Sequence, residues 1–175
     1  MTSLLSTRNL AIVVAVSVAL LPETSVFSHL QVQGVAPDLV LLVVVATGLR
    51  HGSEVGLATG FAAGLLLDLA PPADHVAGRW ALALLVVGYV AGRLTTRGEP
   101  RPLQWLGVAA AGSFVGTSVF ALSGLVLSDP AVGTGELMRT SAIALGYDTL
   151  LALVVVPLTL GLFARIAPER HRVFA

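Results

Sequence analysis

Three aspartates stand where charge is expensive in an otherwise apolar chain. Asp38 opens the run DLVLLVVVATGL, Asp68 closes GLATGFAAGLLLDL, and Asp148 lies between Tyr147 and Thr149 within the last apolar stretch. Ionisable groups in such segments usually face protein or water, and they mark either a polar pathway or a bond between helices. With Arg79 or Arg139 as counter-charge, Asp38, Asp68 and Asp148 could line one outward-opening polar pocket. Asp38 has a second reading as a helix N-terminal charge favoured by the macrodipole. Asp148 has one as a structural hydrogen bond to a neighbouring helix.

Other chemistry finds little support. The four histidines, His29, His51, His75 and His171, are scattered, and no H-E-x-x-H pair offers a metal site. His75 follows Asp74 in the loop PPADHVAG, with no third ligand nearby in sequence. There is no G-x-S-x-G elbow and no phosphate loop. With no cysteine, disulfides, a thiol nucleophile and thiolate metal ligands are all excluded. Neither catalysis nor a metal or other cofactor is expected.

Glycine is the third informative residue. Gly48, Gly52, Gly56, Gly60 and Gly64 recur every four residues, and the next step of four is Asp68. Such a line winds slowly around a helix, by about 40° per step. It leaves a bare groove into which another backbone can press, the usual basis of close helix association in lipid. Gly88 and Gly92 repeat the spacing, as do Gly112 and Gly116. The face built from Gly52, Gly56, Gly60, Gly64, Gly88 and Gly92 either packs the bundle or docks a partner helix.

These residues must be positioned by elements that live in a membrane. Of 175 residues, 55% are hydrophobic and only 11% charged, against roughly 25% charged in soluble domains. Formal net charge is zero, so no overall field favours nucleic acid. A transmembrane helix needs about 20 mostly apolar residues. Six segments qualify or come close: about 9–27, with Pro22 bending its end, 37–49, 53–69, 80–94, 103–127, and 137–166 with a kink expected at Pro157. The second is short. Cytoplasmic loops are enriched in positive residues. An inside amino terminus puts Arg8, Arg50, Arg93, Arg97, Arg101, Arg165, Arg170 and Arg172 inside, with only Arg79 and Arg139 outside. The expected architecture is an all-α bundle of six membrane spans, forming one domain over residues 1–175, with both termini cytoplasmic.

A cleavable signal peptide is the rival reading of the first segment, with Ser17-Val18-Ala19 as its cut. The apolar run before it, Leu10 to Val16, is at the short limit, and cleavage would leave five spans. The segment is therefore expected to stay. The string LPETS at 21–25 lacks the final glycine of a sortase signal and is taken as coincidence.

The stretch PDLVLLVVVATGLRHGSEVGLATGFAAGLLLDL, Pro37 to Leu69, resembles the signature of the rod shape-determining protein MreD family. VVGYVAGRL, Val86 to Leu94, is similar to that family's next landmark. YDTLLALVVVPL resembles its final helix, with Asp148 where asparagine is the more usual residue. The first and fifth spans match only in hydropathy.

The resemblance implies a non-enzymatic membrane subunit of the bacterial cell-wall elongation complex, the elongasome, which regulates peptidoglycan synthesis and cell shape. It implies binding to MreC and cooperation with the MreB filament, RodA and penicillin-binding protein 2. It also implies a fold similar to the S-components of energy-coupling-factor transporters, with six helices around an outward-facing cavity. On that basis the glycine face holds the bundle or docks the transmembrane helix of MreC. The pocket of Asp38, Asp68, Arg79 and Asp148 receives a periplasmic segment or a membrane lipid headgroup. The alternative is a vitamin-binding S-component, and a third reading is a small bundle with a purely structural role.

Overall fold

The computed structural model describes residues 7–27, 35–70, 76–95, 101–126 and 134–166. His29, His75, His171, Asp74, Arg97, Arg170 and Arg172 lie outside the described residues. Each of the six apolar segments carries one α-helix: α1 Thr7–Pro22, α2 Leu39–His51, α3 Ser53–Leu69, α4 Arg79–Arg93, α5 Pro102–Val126 and α6 Thr134–Ile166.

The hub is α2. It has no polar face, and every residue from Leu39 to Leu49 is buried. A helix that is apolar all round belongs in the middle of other elements, and α2 touches all five of the other helices. At 13 residues it is about 20 Å long, well short of a hydrocarbon core of about 30 Å. Its two ends therefore cannot both reach the membrane surface, and at least one must be satisfied within the protein. At its C-terminal end the Thr95 hydroxyl donates to the Leu49 carbonyl at 3.0 Å, and the His51 ring tilts against Phe163 with centroids 5.0 Å apart.

Gly52 makes the turn from α2 into α3 in a single residue, at φ 87°, a left-handed conformation that side chains resist. It therefore stands outside the packing face expected of it. A Cβ there would meet nothing within 4 Å, whereas one at Gly48, four residues earlier, would meet the Gly88 carbonyl oxygen at 2.8 Å.

The other rungs press α3 against α4. A Cβ at Gly56 would run into the carbonyl of Gly88, one at Gly60 into that of Leu84, and one at Gly64 into that of Trp80. From the α4 side, Gly88 meets the Gly56 carbonyl and Gly92 the Ser53 amide. The ladder is occupied by the chain's own neighbouring helix along its length.

On α1 and α3, small residues line the contacts and many large apolar ones face outward. On α1, Ala11, Ala15 and Ala19 are buried while Leu10, Val13, Val18 and Leu21 are exposed. On α3, glycines and Ala63 are buried while Phe61, Leu65, Leu66 and Leu69 are exposed. Large apolar side chains pointing outward along whole helices require an apolar solvent. Three stretches, Thr7–Ser25, Pro102–Gly124 and Met138–Ile166, are long and apolar enough to cross a membrane. The last runs unbroken through Pro157.

Because the atom opposing Gly60 is a backbone carbonyl, Gly60→Ala is expected to destabilise the fold by about 1–3 kcal/mol. Gly107→Ala, where a Cβ meets nothing within 4 Å, should be neutral or slightly stabilising. Thermal unfolding of the two variants in the same detergent measures the contrast.

Candidate functional site

The first turn of any helix leaves backbone N–H groups without intrahelical partners, and in a water-free interior each orphan is costly. At the start of α2 three carboxylates from three parts of the chain meet this demand. Asp38 is the N-cap, its side chain accepting from the Leu41 amide at 2.7 Å. Glu23 Oε2 accepts from the Val40 amide at 2.8 Å. Asp148 Oδ1, from the middle of α6, accepts from the Asp38 amide at 2.9 Å. Ser113 on α5 completes the group by donating its hydroxyl to Asp148 Oδ2 at 2.5 Å. Carboxyl oxygens suit this end because the unpaired amide N–H groups of the first turn point out of it.

Local sequence explains how Glu23 reaches α2. Pro22 ends α1, since it has no N–H with which to continue the ladder. One wide π turn, Glu23–Phe27, follows. The Thr24 hydroxyl bonds back to the Leu20 carbonyl at 3.0 Å, which anchors the turn.

Above this end of α2 lies a cavity of about 340 Å³. Glu23, Asp38 and Asp148 form its polar wall, Trp80 and Phe120 an aromatic one, and Thr117 and Thr140 add hydroxyl-bearing side chains. The Trp80 and Phe120 rings sit 4.6 Å apart at 35°.

A separate knot holds the start of α4. Its N-cap is Gly78, which has no side chain to cap with. Asp68, at the end of α3, supplies the missing acceptor: Oδ2 takes the Gly78 amide at 2.8 Å and the Ala81 amide at 3.0 Å. Oδ1 takes the Trp80 amide at 3.1 Å. Next to it, Arg79 turns toward α5. Its guanidinium lies 4.0 Å from the Phe120 ring centroid, within cation–π range, and donates to the Phe120 carbonyl at 3.0 Å. Gly124 leaves room for it, because a Cβ there would strike the guanidinium.

The four residues expected in one pocket thus divide into two sites. Asp38 and Asp148 meet at the cavity; Asp68 and Arg79 do not line it and instead fix the α4 end. Arg139 is exposed on α6. Glu23 and Ser113 belong to the first site and were not anticipated. Glu23 carried a legible signal, an acid inside the first apolar segment, obscured by its place in the LPETS string. Ser113 carried none beyond its small size between Gly112 and Phe114. Among the described residues no group of three or more His, Asp or Glu side chains is placed to hold a metal ion.

What these sites define is an all-helical membrane protein whose buried acids complete helix ends. The model of the family described as rod shape-determining protein MreD matches residues 6–165. The chain belongs to the MreD family, a family of shape-determining membrane proteins. No curated protein and no solved structure gives a match.

Asp68→Ala removes an acceptor from three amides and is expected to lower stability by about 2–4 kcal/mol, the sum of a lost cap and unsatisfied donors. Asp68→Asn keeps one acceptor oxygen and should recover part of that loss. Asp148→Ala should cost about 1–3 kcal/mol, because it strands the Asp38 amide and the Ser113 hydroxyl. Thermal unfolding in detergent ranks the three; equal stability of Asp68→Ala and wild type would contradict the capping role.

Proposed function

We propose that this protein is a non-enzymatic, multi-pass subunit of the bacterial cell-wall elongation complex in the cytoplasmic membrane, and that it holds the transmembrane helix of MreC. The observation that carries the reading is the family match over residues 6–165 of the 175-residue chain. Its buried acids support it, since each described one accepts bonds from backbone amides and so completes helix ends. Through MreC it acts alongside MreB, RodA and penicillin-binding protein 2 to regulate peptidoglycan synthesis.

In this reading all six helices cross the membrane with both termini cytoplasmic, in an arrangement like that of energy-coupling-factor S-components. The cavity over α2 makes up the length that the 13-residue helix lacks.

The face for MreC cannot be the ladder of Gly56, Gly60, Gly64, Gly88 and Gly92, whose rungs α3 and α4 fill for one another. We place it on α6. There Gly146 and Gly161 are open, with nothing within 4 Å of a Cβ. Leu150, Val154 and Leu158 are exposed between them. The spacing of these five residues keeps them on one side of the helix, and open glycines let a second helix approach closely.

Gly146→Leu combined with Gly161→Leu fills that face without disturbing the bundle. The double variant is expected to keep its thermal stability and lose at least about tenfold in co-purification with MreC. A stable double variant that recovers MreC at the wild-type level would remove α6 as the docking face.

A further inference from the structure

A second concave feature lies on the opposite side of the chemistry, between α1 and α3. Since α1 leans on α2 and α6 more than on α3, a groove of about 550 Å³ opens between them. Its wall is apolar and low, with Val13 and Val16 on α1 and Ala58 and Ala62 on α3. Among the described residues its charged lining residues are Arg8 and Glu54. Both are exposed, and both stand at the beginning of their helices.

The dimensions select the occupant. From Glu54 to Leu66, the last lining residue on α3, the groove runs about 18 Å at 1.5 Å per residue. One leaflet of a hydrocarbon core is about 15 Å deep, half of about 30 Å. A partner helix crossing the membrane would run about 30 Å, well beyond the end of this groove. An acyl chain hanging from the headgroup level to the midplane needs a seat of this length. The two charges then stand at headgroup level and have opposite signs. That suits a headgroup with both a phosphate and a primary ammonium, and gives no net attraction to a purely anionic one.

We propose that the groove between α1 and α3 seats one acyl chain of a phosphatidylethanolamine, with its phosphate on Arg8 and its ammonium on Glu54. Arginine suits the phosphate because its fork of donors matches phosphate oxygens. Glu54 accepts from the ammonium, whose N–H donors a quaternary choline lacks. The seat is separate from the α6 face and from the carboxylate cavity, so it stands or falls apart from the MreC reading.

The test is native mass spectrometry of the full-length protein in mild detergent, titrated in turn with phosphatidylethanolamine, phosphatidylglycerol and phosphatidylcholine of identical chains. The wild type is expected to retain one phosphatidylethanolamine, preferred about three- to fivefold over the other two, the range an exposed ion pair supplies. Glu54→Gln should bring the three lipids to equal occupancy, and Arg8→Ala should lower all of them. Ala58→Leu, at an exposed position on the groove wall, should also reduce occupancy by every lipid with thermal stability unchanged. Equal retention of the three lipids by the wild type overturns the headgroup assignment. Occupancy undiminished in Ala58→Leu overturns the groove as the seat.

Discussion

Starting a helix inside an apolar interior sets the terms for the rest of this molecule. The first residues of α2 are buried, and a backbone donor left unpaired in an apolar interior costs several kcal/mol. Three carboxylates meet the need: one from the N-cap, one from the turn after α1 and one from the middle of α6. Each acid would itself be expensive alone; its hydrogen bonds to the amides offset part of that cost. The solution reaches far along the chain. Residues 110 positions apart in sequence join in the bond between Asp38 and Asp148, and Ser113 brings in α5. Pro22 and the π turn set the position of Glu23, and α6 must present Asp148 at one depth only.

Contact between α3 and α4 follows a different logic. Burial of apolar surface gains little when the solvent is itself apolar, so association depends on how closely backbones approach. Glycine rungs opposed directly to carbonyls give that approach. Asp68 fixes the register at one end by binding three amides of the facing helix start. Arg79 then links that same end to α5 through Phe120. Along the α3–α4 contact the side-chain bonds thus lie at the helix ends and the glycines between them, while large apolar side chains of α1 and α3 face outward.

Much of this was legible beforehand, because hydropathy and the absence of charge report directly on position relative to lipid. The six apolar segments each carry a helix, and the expense of Asp38, Asp68 and Asp148 marked them as bonded or water-facing. Partner choice was not legible. Asp68 lies at the end of a helix and could have faced the other acids; it caps α4 because Gly78 cannot, a pairing that depends on how a loop returns. Gly52 fits the four-residue ladder by count, yet its positive φ makes it the turn. Glu23 is an acid after a proline in an apolar segment, which marks it as costly, but nothing in its neighbours names the amide it meets on α2. The shortness of the second segment was plain, but its place at the centre follows only from having no polar side to show.

A short central helix and a cavity above it are two aspects of one choice. Had α2 been some seven residues longer, it would have matched the roughly 30 Å core and brought its first amides to water, with no need of Glu23 or Asp148. Ending it early creates an empty volume over its N-terminus and a set of donors that only acceptors from other helices can satisfy. The acids on the cavity wall are therefore engaged before any ligand arrives, because each described bond runs to an amide or hydroxyl of the protein. A ligand that drew Asp148 away would free the Asp38 amide and the Ser113 hydroxyl together, since one carboxyl group serves both. One side chain from α6 thereby ties the start of α2 to the middle of α5, so these three helices are held in one arrangement.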